Sequence, residues 1–216
     1  EEKIVEEWIQ DENKHEVKKL PIGNYILREV EVGENSGYVT NTDVEFAIKD
    51  TLEIQKVEII QSVSKLEVHI LDELDNTKYA KGTKWQIVSK VVKEDGNFEE
   101  KIVEEWIQDE NKHEVKKLPI GNYILRQVEV GENTGYVTNA DVEFEIKDTL
   151  EVQKLEVIQN ISKLEIHILD ELDNTKYAKG TKWKIINKKT HEEIVMFIMR
   201  NTKQIVEGLP IGKYIL

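Results

Sequence analysis

Cysteine is absent from the 216 residues, so neither disulfides nor zinc–cysteine sites can hold this chain together. That absence assigns no compartment, because some secreted proteins do without disulfides. Apolar runs are short. The longest, Ile194 to Met199, has six residues, too few to cross a bilayer. No charged-plus-apolar leader opens the sequence, so any signal peptide or wall anchor is expected outside it. Basic charge is scarce as well: 30 Lys and Arg stand against 43 Asp and Glu, a net charge of -13. This argues against nucleic acid or anionic lipid as a partner, since both need clustered cations to neutralise phosphate. Its plain consequence is solubility. Proline occurs three times, as Pro21, Pro119 and Pro210, each inside an L-P-I-G run. What remains is ordinary globular material, 39% hydrophobic and 34% charged.

What the chain has is repetition. LPIGNYILREVEVGENSGYVT at 20–40 returns as LPIGNYILRQVEVGENTGYVT at 118–138, and begins again as LPIGKYIL at 209–216. Sliding the sequence along itself matches Glu1 to Glu99 and Lys65 to Lys163, an offset of 98. Only nine positions differ between 1–64 and 99–162, among them Ile54/Val152, Val57/Leu155, Ile59/Val157 and Val63/Ile161. These swaps nearly conserve apolar volume, as a packed core tolerates. The third copy is looser and reaches its L-P-I-G seven residues early, at Leu209, which predicts a lost loop after Trp183. The register gives one complete repeat at 65–162, the C-terminal part of another at 1–64, and the N-terminal part of a third at 163–216.

Strand signals come every 8 to 15 residues with no helical run between them, which predicts an all-β fold with one two-sheet sandwich per complete copy. Strands are expected at Ile4–Gln10, His15–Lys19, Tyr25–Val32, Val44–Ile48, Leu52–Gln61, Leu66–Leu71 and Lys84–Ser89. Turns are expected at Asp11-Glu12-Asn13, Gly33 to Gly37, Asp72 to Thr77 and Asp95-Gly96-Asn97. In Tyr25–Val32 neither face is cleanly apolar: Tyr25, Leu27, Glu29 and Glu31 share one, and Ile26, Arg28, Val30 and Val32 the other.

KLEVHILDELDNTKYAKGTKWQI, followed by IVEEWIQDENKHEVKKLPIGNYILRQVEVGENTGYVT and DVEFEIKDT, resembles the collagen-adhesin B-type (Cna B-type) repeat of Gram-positive surface proteins and its relatives in pilin shafts. The most specific part is the run from L-P-x-G-x-Y-x-L through an acidic position to G-Y-V. The resemblance implies a prealbumin-like Greek-key sandwich in tandem copies, and no enzyme. It also implies three positions for a bond within the domain, in which a lysine on the first strand attacks an Asn or Asp side chain on the last, assisted by a buried acid. The lysine falls on Ile70 and Ile168, the acid on Glu29 and Gln127, and the acceptor on Gln61 and Gln159. An isoleucine offers no amine, so the crosslink is expected to be missing. An ester variant would need a threonine on 66–71, and there is none.

Other candidates have plain readings. Asp72, Asp75, Asp170 and Asp173 lie in two acidic loops that could offer oxygens to calcium, but the loops lack the glycine and terminal bidentate Glu of a dedicated site, so solvated turns and no cofactor are expected. His15, His69, His113, His167 and His191 have no Ser, Cys or paired His at useful spacing. Trp8, Trp85, Trp106 and Trp183 sit in strand patterns with apolar neighbours and read as core rather than as a glycan platform. The expected function is a non-enzymatic stalk or spacer at the cell surface or wall of a Gram-positive bacterium, partnered by neighbouring repeats and not inserted in a membrane. A subunit of a self-assembling fibre or pilus and a ligand-binding adhesin module are the alternatives.

Overall fold

The computed structural model describes residues 2–92 and 98–216, so the expected turn at Asp95-Gly96-Asn97 lies outside the described residues. All regular structure there is strand. No helix among the described residues is long and apolar enough to cross a membrane.

The first copy contributes one antiparallel pair, β1 (Gly23–Leu27) and β2 (Val44–Ile48), with Tyr25 opposite Phe46. The central copy is built from β3 (Lys65–Asp72), β4 (Lys84–Val92), β5 (Phe98–Ile107), β6 (His113–Lys116), β7 (Gly121–Glu129), β8 (Val142–Ile146) and β9 (Gln153–Gln159). One sheet runs β5-β4-β7-β8 and the other β6-β3-β9, in which β3 and β9 are parallel. Alternation decides what each sheet turns inward. Leu66, Val68 and Ile70 of β3 and Val157 of β9 meet Trp85 and Ile87 of β4, Leu125 of β7 and Ile146 of β8 in one buried cluster. Ile70, Trp85, Ile87, Leu125 and Ile146 are 0% exposed, and each buried side chain of this size contributes about 1.5–3 kcal/mol. The two sheets thus close on a single core lying wholly within residues 66–161.

The third copy forms β10 (Lys163–Ile166), β11 (Lys182–Asn187), β12 (Glu193–Ile198), β13 (Gln204–Glu207) and β14 (Tyr214–Ile215) around a smaller cluster of Ile166, Ile185, Phe197, Met199, Val206 and Leu209. Its seven missing residues are taken from a hairpin. Strands of nine and ten residues, β4 and β5, become six and six in β11 and β12, so both arms shorten.

Three expected strands are absent from the first copy. Ile4–Gln10, His15–Lys19 and Leu52–Gln61 make no ladder, and Tyr25–Val32 is regular only as far as Leu27. The same sequence 98 residues on forms β5, β6, β9 and a longer β7. Partners make the difference. β5 and β7 pair with β4, while β6 and β9 pair with β3, and no strand precedes β1 among the described residues. Without those edges 52–61 forms no ladder, and Ile54 and Ile60 are left exposed.

Candidate functional site

The strand after L-P-I-G settles which face goes inward. Tyr123, Leu125 and Gln127 of β7 are buried against the core cluster, matching the face that carries Glu29. The opposite face is not free of burial: Ile124 sits beside Val88 of β4, both nearly inaccessible, which is why periodicity alone is ambiguous here. On that outer side Arg126 bridges Glu100 and Asp141 at 2.7 and 2.8 Å. Hydrogen bonds from the guanidinium hold the Glu100 carboxyl below its usual range. Arg28, Glu2 and Asp43 repeat the arrangement in the first copy.

In the central copy the three positions implied for a crosslink lie in one place. Ile70 is fully buried on β3, paired in register with Val157 of β9, and two residues further Asp72 pairs with Gln159. Gln159 is 0% exposed, and Gln127 reaches it from the opposite sheet. The Gln127 amide donates to Gln159 Oε1 at 2.6 Å, and Gln127 Oε1 accepts the Asn139 N–H at 2.7 Å. Gln159 Nε2 donates in turn to the Val137 carbonyl at 2.7 Å. Every strong hydrogen-bonding group of the pair has a partner, as burial demands. The two amides meet through a hydrogen bond, and the third member, Ile70, is a hydrocarbon.

The first copy shows the same network with a carboxylate. Glu29 Oε2 accepts from the Asn41 N–H at 2.7 Å and from Gln61 Nε2 at 3.1 Å, and Gln61 also donates to the Val39 carbonyl at 2.9 Å. Glu29 and Gln61 are half-buried here, because the sheet that would cover them is missing. Exchanging Glu29 for Gln127 therefore keeps the acceptor for the Asn N–H and reverses the donor between the two side chains. Ile168 of the third copy is partly buried against its own cluster.

The acidic loops spend their oxygens on the protein. Asp72 Oδ1 accepts the N–H groups of Leu74 and Asp75, and its Oδ2 accepts the Tyr136 hydroxyl at 2.6 Å. Asp75 takes Thr77 twice and Lys78 at 2.8 Å, which together pull its carboxyl down to about 2. Asp170 and Asp173 repeat these turns with Leu172, Thr175 and Lys176. No group of three His, Cys, Asp or Glu among the described residues could hold a metal ion. Trp85 donates to Thr83, and Trp106 donates to the buried Gln108 at 2.8 Å while His113 stacks on its ring at 4.2 Å. These tryptophans are core.

Sequence reasoning missed Ser64 and Ser162. Each donates its hydroxyl at 2.6 Å to a carbonyl of the next copy, Leu118 and Leu209 respectively. The available signal was that both copies place a serine directly before the first strand.

No protein-family model matches the chain, and no curated protein matches it. Among solved structures it is similar to the Bacillus anthracis TIE protein, at 27% identity and a TM-score of 0.45, covering 90% of this chain and 36% of that one. It is similar to the Streptococcal ancillary pilin at 18% identity and 0.38, covering 90% and 65%. BcpA, the major pilin subunit of Bacillus cereus, follows at 16% identity and 0.33, covering 60% and 41%. In each case the chain spans less than two thirds of the other protein. The solved structures to which this all-β chain is similar thus include two pilins, one ancillary and one major.

Proposed function

We propose that the chain is a stretch of non-enzymatic spacer: tandem β-sandwich repeats of a bacterial cell-surface adhesin stalk, one complete copy at 65–162 flanked by partial copies at 1–64 and 163–216. The observation that carries this reading is the combination of near-identical copies with an interior given to apolar packing and to amides hydrogen-bonded within the fold. Swaps such as Val57/Leu155 and Ile59/Val157 preserve a core, and a spacer needs nothing else to be preserved. Repeats of this kind add length in proportion to their number, with stability set by each copy and its neighbours.

The spacer is held without the intradomain isopeptide bond. Its amine position is Ile70, and its other two positions, Gln127 and Gln159, are hydrogen-bonded to each other. Intact-mass spectrometry is the direct test: the mass should equal that of the sequence, and a loss of one ammonia or water would overturn this part. Pulling on the chain should then lengthen the central copy in one step of about 300 Å, from 98 residues at roughly 3.5 Å each less the folded span. A central copy that refuses to lengthen would contradict the uncrosslinked spacer.

A further inference from the structure

In segment 2–64, which has no core of its own, only Gly37, Val39 and Ser64 are buried among the described residues. Gly37 and Ser64 lie where this segment meets the central copy. Gly37 belongs to the G-Y-V-T turn, and a Cβ added to it would stand 2.2 Å from the Lys117 carbonyl oxygen. Lys117 is the residue before the next L-P-I-G. Ser64, the last residue before β3, makes three bonds there: its N–H donates to the Gly37 carbonyl at 3.0 Å, its carbonyl accepts the Lys117 N–H at 2.9 Å, and its hydroxyl donates to the Leu118 carbonyl.

The meeting of the central and third copies repeats this set. The Ser162 N–H donates to the Gly135 carbonyl at 2.9 Å, the Ser162 carbonyl accepts the Gly208 N–H at 2.9 Å, and the hydroxyl reaches Leu209. A Cβ on Gly135 would stand 2.0 Å from the Gly208 oxygen. Lysine in one joint is replaced by glycine in the other, yet the bonds are unchanged, because they use backbone and one serine. The receiving turn is ready for them. Lys117 and Gly208 both take left-handed φ values, 64° and 69°, and Lys19 takes 63° with no serine linker before it in this chain. Holding a lysine there is strained, so the turn itself must enforce it.

We propose that the G-Y-V-T turn of one repeat, the linker serine, and the L-P-I-G turn of the next form a backbone-bonded joint whose partner is the next copy of the repeat, and which fixes the orientation of successive copies. The two glycines are then required by close approach as well as by φ, at 71° and 74°. Further contacts brace each joint. Asp148 accepts the N–H and hydroxyl of Thr40 at 2.7 and 2.6 Å in the first. Glu73 accepts the Ile161 N–H at 2.9 Å and Lys163 Nζ at 2.5 Å in the second. A spacer with loose joints would still be a spacer, so this inference can fail while that reading stands.

The cysteine-free chain allows the test to be made on the full protein, with spin labels at Lys101→Cys and Lys188→Cys, exposed sites in the central and third copies. Pulsed dipolar spectroscopy should give a single narrow distance in the parent. Gly135→Ala should broaden or shift it, because the added methyl cannot fit against Gly208. Ser162→Ala, which adds no strain, should broaden it less while leaving the unfolding midpoint of the central copy unchanged. Gly180→Ala carries the same left-handed strain at φ 82° with nothing within 4 Å, and should leave the distance alone. A parent distribution that is already broad, a distance that neither joint variant changes, or a Gly180→Ala effect equal to that of Gly135→Ala would each overturn the joint.

Discussion

At the scale of single residues the three copies act as a set of substitutions already made. Trp106 donates to Gln108 in the central core, and the equivalent positions of the third copy are Phe197 and Met199. The backbone is the same in both: Gly82 and Gly180 donate to the carbonyls of Gln108 and Met199, and those residues donate back to Thr83 and Thr181. Donor and acceptor have changed together, so neither is left without the other. Gln108→Met alone should therefore destabilise the central copy by about 1–3 kcal/mol, since it strands the indole N–H. Trp106→Phe with Gln108→Met should recover most of that loss in a urea-denaturation double-mutant cycle, and strictly additive losses would contradict the coupling. Asp75 gives a pH prediction at the same scale. Hydrogen bonds from Lys78 and Thr77 bring its carboxyl from 3.8 to about 2 in the folded chain. A lowered folded pKa means stability that is complete above about pH 4 and is lost as pH falls toward about 2. Thermal unfolding across that window should show Asp75→Asn to be less acid-sensitive than the parent; equal slopes would remove Asp75 from the acid response.

At the scale of elements, nearly one sequence has two outcomes. Residues 99–162 form β5 to β9, whereas 1–64 form only β1 and β2. Nine differences, mostly conservative, cannot account for this; the presence or absence of β3 and β4 can. Extending the chain N-terminally with a copy of residues 65–98 should give Val57 and Ile59 amide-exchange protection near that of Leu155 and Val157. Amides at 52–61 that still exchange freely would mean that partners are not what they lack. This also marks what the sequence could tell. Val44–Ile48 and the first strand at 66–71 were legible because their alternation is clean, whereas Ile70, Gln127 and Gln159 were set together only by the resemblance. The inward face of β7 was not, because Ile124 and Val88 bury the other side too. Ladder formation in 1–64 was illegible for a different reason: a strand is a property of a pair, and one segment holds half of it. The linker serines were missed on the same ground, since their acceptors belong to the neighbouring copy.

For the whole molecule, order is graded along the chain rather than shared. The central copy closes two sheets over the larger core, the third closes two smaller sheets over a smaller cluster, and no such cluster lies among the described residues of the first. Residues 2–20 are largely exposed and pair with no strand, and Ile4 and Ile9 are 78% and 90% exposed. Local opening free energy follows buried contacts and ladder bonds, so it should rise from residue 2 toward the central copy and fall again toward residue 216. The backbone joints cut across this gradient. Ser64 and Gly37 are buried at a boundary where exposure would otherwise peak, so the end of the first segment should be held by the neighbouring copy rather than by its own fold. Limited proteolysis under native conditions separates the two influences. Cuts should appear first within 2–20, next within 49–60, and last of all in β3, β7 and β9, while the bonds around Ser64 should remain intact until the central copy itself opens. Early cleavage at 62–66 would show that the joint follows the weak segment, and would place the limit of cooperative structure at Lys65 instead of at Gly37.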